Sequence, residues 1–310
     1  MITFEEGFIE TIEKSPELKY TDTDSIYSAF KTDVNKYHKD NWPELIDQAI
    51  YLATKINDNI NDTMVNYFSE RAGLDPSFQT LYFKTEMVAL RMLQYDIKKT
   101  YSLSYIYDEG KYLSDPEIKN TGGHIKKSGT PDISKQLLKD IVTTMLKKEI
   151  TDINELASVI FKNILDDYTL RYKNAYESYN IPYFGIPYKY GFTKKATKWV
   201  LGAKFFNLFF HDELRPGVSM YAVYISYNAN KLKKLIDDKG ETSNFKLSNV
   251  EVGNTFDMLS IPIETSDKFL ETYKETIQYL YNTIDFRLSY DKNYNFCIQK
   301  KIDPYKKFFT

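Results

Sequence analysis

The chain has 310 residues, 42% hydrophobic and 27% charged, with a formal net charge of −2, enough for one large or two modest domains with a sizeable core. Its longest apolar runs, such as Phe205-Phe206-Asn207-Leu208-Phe209-Phe210, fall far short of the ~20 residues that cross a bilayer. The start Met1-Ile2-Thr3-Phe4-Glu5-Glu6 is acidic, unlike a signal peptide, so no membrane partner is expected. The single cysteine, Cys297, excludes an internal disulfide and suits a reducing cytoplasm, and the three histidines give no zinc spacing.

In chain order, residues 18–30 read as strand, tight turn and strand. A helix is predicted over 43–70, where Leu45, Ile46, Ala49, Ile50, Ala53, Ile56, Ile60 and Met64 recur on one face, with Gly73 and Pro76 after its end. Residues 79–90 look extended or mixed. Alternation over 99–107, then Asp108-Glu109-Gly110, fits a hairpin. From Thr130 the chain turns mostly helical: Thr130 is expected to cap a helix whose first residue is Pro131. Asp152 and Glu155 open a second helix that runs to about Tyr179. Pro182, Gly185 and Pro187 mark a loop, Met220–Tyr227 and Phe256–Ile261 read as strands, and a late helix spans about 266–285. Strand-rich and helix-rich parts are segregated, so the expected class is α+β.

Charge is unevenly spread. Residues 1–70 hold 14 acids and 6 lysines, whereas 118–148 hold 7 lysines and 2 acids and 186–204 hold 5 lysines and no acid. Local potential, not the total, governs phosphate binding. In 186–204, Lys189, Lys194, Lys195 and Lys198 interleave with Tyr188, Tyr190, Phe192 and Trp199. They form either a nucleic-acid groove or core aromatics beside solvated lysines.

The most informative stretch is Tyr20-Thr21-Asp22-Thr23-Asp24-Ser25-Ile26-Tyr27. Two carboxylates two residues apart at a strand turn can face one hard divalent ion, which shares its shell with substrate phosphates. An Asp-rich turn without a metal is the plainer alternative. The octet resembles motif C, Tyr-Gly-Asp-Thr-Asp-Ser, of family B DNA polymerases, with Thr21 in place of the usual Gly. That resemblance implies Asp24 as the ligand shared by two Mg²⁺ ions and Asp22 close to the same shell.

Further matches follow in family order. Lys84-Thr85-Glu86 resembles the palm segment that brings in a third acid, Glu86. Lys98-Lys99-Thr100-Tyr101 resembles the Lys-Lys-Arg-Tyr motif that tracks the minor groove, and implies DNA contacts for Lys98, Lys99 and Tyr101. Lys119-Asn120-Thr121-Gly122 and Lys126-Lys127-Ser128-Gly129-Thr130-Pro131 look like the palm-to-thumb junction of T-even-type phage polymerases. That implies duplex contacts for Lys119, Gly122, Lys126, Lys127 and Thr130. The closing segment resembles the clamp-docking peptide of related phage enzymes, with Ile302, Tyr305, Phe308 and Phe309 as anchors for a sliding clamp.

The resemblance implies a partial palm with an antiparallel sheet over 1–116, a mostly helical thumb with a few short strands over 117–298, and a tail at 299–310. An earlier metal-binding Asp, a nucleotide-binding fingers helix and a proofreading exonuclease are not found in the sequence. The expectation is therefore one half of a split DNA polymerase, inactive without an N-terminal polypeptide that supplies those parts. Primer–template DNA and dNTP would be the other partners, and the cytoplasm of an infected cell the setting. A truncated polymerase and a non-catalytic, thumb-derived DNA-binding or processivity subunit are the alternatives. A glycosyltransferase Asp-x-Asp site is discounted, because only 21 residues precede Asp22.

Overall fold

A computed structural model describes residues 17–21, 26–29, 42–73, 75, 77, 82–95, 98–147, 152–191, 197–210, 214–239 and 256–309. The class is α+β, with antiparallel sheets and segregated helices. The chain divides into two units, the first ending at Thr121 and the second spanning Gly122–Thr310.

In the first unit, β1 (Glu17–Thr21) and β2 (Ile26–Ala29) pair antiparallel, with Thr21 opposite Ile26. Helix α1 (Trp42–Ala72) has Glu44 in its first turn and Arg71 in its last, which suits the helix dipole. It ends at Gly73, whose φ of 62° and N–H bond to Ser69 O at 3.1 Å form a left-handed stop. The predicted periodic face is real but little buried: Ile46, Gln48 and Leu52 are the buried residues, all in the first third. Side-chain amides hold the rest to the chain ahead of the next strand. Asn57 Nδ2 donates to Thr85 Oγ1 at 3.0 Å, and Asn61 exchanges two bonds with the Phe83 backbone.

A three-stranded sheet follows, ordered β3 (Met87–Gln94), β4 (Tyr101–Asp108), β5 (Lys111–Thr121). Asp108 pairs with Lys111, and the two residues between them, Glu109 and Gly110, have φ of 45° and 91°. Two positive φ values are what a tight two-residue hairpin needs to follow strand twist. The central strand is covered on both faces, and Tyr101, Ser102, Leu103 and Ser104 are all buried.

The second unit is built on a sheet with order β6 (Ile186–Lys189), β7 (Ser219–Ser226), β8 (Met258–Pro262), while β9 (Arg287–Leu288) extends from β7. Every residue of β8 is buried. Helix α7 (Lys198–Phe209) lies directly on it, and the close approach depends on Gly202. A Cβ there would sit 2.6 Å from Ser260 Oγ and 3.2 Å from Met258 O. The short helix α2 (Gly123–Lys126) leads into α3 (Asp132–Lys147). After it, α4 (Ile153–Ser158), a π-helical turn (Val159–Ile164) and α5 (Leu165–Glu177) form one run, started by Asp152 accepting the Asn154 N–H at 2.7 Å. Next come α6 (Ile181–Phe184), and, beyond β7, α8 (Ala229–Lys239). The late helix expected over 266–285 is instead three pieces: α9 (Ile263–Ser266), α10 (Phe269–Thr272) and α11 (Lys274–Ile284). Helix α12 (Tyr290–Tyr294), a second π turn (Asn295–Gln299) and α13 (Lys300–Lys306) end the described chain.

Aromatic rings dominate this core. Tyr172 is fully buried, lies within 6.2 Å of Tyr176, Phe184, Tyr290 and Tyr294, and donates to Tyr290 O at 3.0 Å. Phe206 and Phe210 stack at 4.8 Å, one helical turn apart. Among the described residues no helix is long and apolar enough to cross a membrane.

The loop expected at Pro182, Gly185 and Pro187 is instead α6 followed by β6, and two further expectations change. Thr130 is not the cap of α3: Pro131 O accepts the Lys135 N–H at 3.0 Å, the helix starts at Asp132, and the Thr130 hydroxyl is buried without a hydrogen-bond partner. Nor is the closing segment a free peptide. Ile302 and Tyr305 are 1% and 4% exposed, and Phe309 sits edge-on to Phe161 at 5.3 Å. These apolar side chains find their burial within the second unit.

Candidate nucleic-acid interface

The octet's flanking strands are in place, and Tyr27 ties them to the sheet. Its hydroxyl is 2.8 Å from that of Tyr101, with ring centroids 5.3 Å apart. Asp22 and Asp24 lie outside the described residues. Tyr101, expected at a DNA surface, is 8% exposed. Its role in the structure is to join the β1–β2 hairpin to β4, because the central strand of a covered sheet turns its large rings inward.

Lys98 and Lys99 are exposed at the β3–β4 turn. The turn is closed by Tyr95 N donating to Thr100 O at 3.2 Å, and Lys99 takes a φ of 59°. Thr100, where the related motif has Arg, is buried and donates to Lys98 O at 3.4 Å. Tyr101 pairs with Thr121 and Leu103 with Lys119. The exposed Lys119 therefore lies at the same end of the sheet as Lys98 and Lys99. Three ammonium groups at one sheet end, two of them on a tight turn, can neutralise successive phosphates without reading bases.

Glu86 is at the other end. It precedes Met87, which pairs with Asp108, and its carbonyl accepts the Glu109 N–H at 2.7 Å. Eight residues of strand, roughly 25 Å, separate it from the Lys98–Lys99 turn. Lys84, beside it, reaches Glu109 at 3.7 Å across open solvent. Among the described residues no three His, Cys, Asp or Glu side chains cluster as a metal site would require.

The second unit begins with Gly122 and Gly123, both at φ 65°. Two consecutive positive φ values make a sharp entry that a Cβ would strain. Lys126 and Lys127 follow on an exposed stretch, and Thr130 N donates to Lys127 O at 3.2 Å to close the turn before α3. His124 is exposed, and its Nδ1 meets the ammonium of Lys301 at 3.4 Å. Partial burial, then the charges of Lys301 and Lys127, push the imidazole below its ordinary value of 6.5.

For the aromatic–lysine stretch, the core reading holds where the structure describes it. Tyr188 and Trp199 pack together at 5.4 Å against Ile186, Ala222 and Met258. Burial pushes the Tyr188 phenol up to about 12, and its hydroxyl is 2.6 Å from Ser260 Oγ. Lys189 and Lys198 stay exposed, while Phe192, Lys194 and Lys195 lie outside the described residues. Sequence reasoning missed Lys301. A lysine in a charged tail gives no sign that the fold will bury it.

No protein-family model matches the sequence, and no curated protein sequence matches it. Among solved structures, the chain is similar to the family B DNA polymerase from the hyperthermophilic archaeon Pyrobaculum calidifontis, at 16% identity and a TM-score of 0.36, over 72% of this chain. It spans 24% of that structure's length.

Proposed function

We propose that the chain supplies the aspartate motif and the duplex-gripping part of a DNA-directed DNA polymerase, completed by a separate polypeptide that carries the fingers, the further metal-binding Asp and an exonuclease. The observation that carries this reading is the octet itself, flanked by the paired strands β1 and β2. Asp24 and Asp22 are the residues that would hold Mg²⁺, with Glu86 as a further acid of the palm. Mg²⁺ held there would supply Lewis-acid stabilisation of the charge developed as a primer 3′ oxygen displaces pyrophosphate from a dNTP.

The chain's own residues supply position. In the first unit Lys98, Lys99 and Lys119 at one sheet end, and in the second Lys126 and Lys127 ahead of α3, each offer positive charge to a phosphate backbone, the sequence-independent kind of grip that replication requires. Tyr101 acts indirectly here, holding the β1–β2 hairpin to the sheet.

The test is primer extension with Mg²⁺ by the purified chain alone, by the partner polypeptide alone, and by the two co-expressed. Extension is expected from the co-expressed pair and from neither part, with the pair eluting together on size exclusion. Extension by the chain alone would overturn the split arrangement.

A further inference from the structure

Lys301 is 5% exposed. Its ammonium contacts His124 Nδ1 at 3.4 Å and sits 4.5 Å over the Phe296 ring. Among the described residues no carboxylate pairs with it. An ammonium taken out of water without a counter-charge is strongly disfavoured. Two further cations, Lys127 and Lys300, lie near it. Burial pushes the Lys301 amine down, the Cys297 side chain opposes this, and the two lysines act with the burial. The Cys297 thiol beside it is itself pushed up to about 12 by burial.

The chain beside Lys301 is held in place by a buried hydrogen bond. Ser134 Oγ donates to Cys297 O at 2.7 Å, which holds the first turn of α3 against the turn just before Lys301. One turn before Ser134 is Thr130, buried, with a hydroxyl that has no partner. An imidazole that accepts at Nδ1 carries its proton on Nε2 and can donate there. His124 and Lys127 are exposed, so solute can reach the cluster from outside.

We infer that Lys301, His124 and Lys127 form one anion site for a phosphate group, with Lys301 as its buried floor. The inference rests on the duplex-binding reading above, and the ligand is then a backbone phosphodiester. Two ammonium groups and a neutral N–H donor, with no carboxylate among them, suit a tetrahedral oxyanion. The C-terminal helix thereby becomes part of the duplex grip.

The experiment titrates a fluorescent primer–template duplex over a salt series with the wild-type chain, Lys301→Met, Lys127→Ala and His124→Leu. Lys301→Met is expected to reduce the slope of log affinity against log salt by about 0.9, the share of one phosphate contact. Its thermal midpoint should hold or rise, because an uncompensated buried charge is gone. His124→Leu should weaken binding by about tenfold with the slope unchanged, since it removes a donor but no charge. If Lys301→Met does not fold, His124→Leu decides, and wild-type affinity in that variant overturns the site. If Lys301→Met keeps the wild-type slope while Lys127→Ala loses about 0.9, the duplex reading stands and the inference is overturned. If the wild-type chain shows no salt-dependent duplex binding, the duplex reading fails and inorganic phosphate decides. A thermal midpoint raised by phosphate in wild type but not in Lys301→Met upholds a phosphate site with a free source, and no rise overturns it.

Discussion

The two units are stabilised in different ways. The one ending at Thr121 contains a 31-residue helix that buries Ile46, Gln48 and Leu52, and much of what holds its parts is polar. The Asn57 and Asn61 amides, the Tyr112 hydroxyl donating to Asp47, and the Tyr27–Tyr101 pair are such ties. Bonds of this kind contribute about 0.5–1.5 kcal/mol each. The unit from Gly122 onward is an apolar body in which Tyr168, Tyr172, Phe184, Phe205, Phe206 and Phe269 are each under 2% exposed. Apolar burial rewards a chain that folds on itself, whereas a helix with a half-covered apolar face gains more when another surface covers it. Among the described residues, the first unit thus leans on polar ties and the second on apolar burial.

The largest expected effect lies in the second core. Phe206→Ala should cost about 3–5 kcal/mol, read by urea denaturation, and a loss under 1 kcal/mol would contradict the description of that core. Gly202→Ala comes next. The added methyl meets Ser260 Oγ and the Met258 carbonyl, so α7 must lift from β8, at about 1–3 kcal/mol. The two tryptophans make the comparison direct, because Trp42 belongs to the first unit and Trp199 to the second. Single-tryptophan variants should give a lower urea midpoint at Trp42 than at Trp199, and coincident transitions would break the comparison. A double-mutant cycle of Tyr27→Phe and Tyr101→Phe should return a coupling of about 0.5–1.5 kcal/mol. Zero coupling would remove the hairpin-to-sheet tie.

The smallest effect is a pH dependence. His124 is pushed down in the fold, so the unfolded chain holds that proton more tightly. Its contribution to stability is present above the ordinary value of 6.5 and is lost as pH falls through the folded value. His124→Gln should therefore flatten the decline of the urea midpoint below pH 6.5 slightly, an effect kept small by the exposure of the ring.

Local rules made much of the fold legible. The Asp108-Glu109-Gly110 turn, the long helix ending at Gly73 and the Asp152 cap all follow from backbone preferences that act within a few residues. What the sequence hid depends on distant partners. Tyr101 sits in a Lys-Lys-x-Tyr string that suggests a surface, yet its position on a central strand and the Tyr27 hydroxyl turn it inward. Ile302 and Tyr305 have the spacing of an exposed docking peptide, but the second unit offers them burial. Thr130 has the residue type of a helix cap, and Pro131 takes that place. Lys301 carries no signal at all, because burial of a lysine is decided by what packs over it.

The central claim is that Asp24 acts in nucleotidyl transfer while the lysines act in binding. The most direct measurement compares Asp24→Asn with Lys98→Ala in the chain co-expressed with the proposed N-terminal polypeptide, scoring primer extension and duplex affinity on the same preparations. Asp24→Asn should abolish extension with affinity unchanged, and Lys98→Ala should weaken affinity and reduce its salt slope by about 0.9. Extension at the wild-type rate by Asp24→Asn would contradict the polymerase assignment.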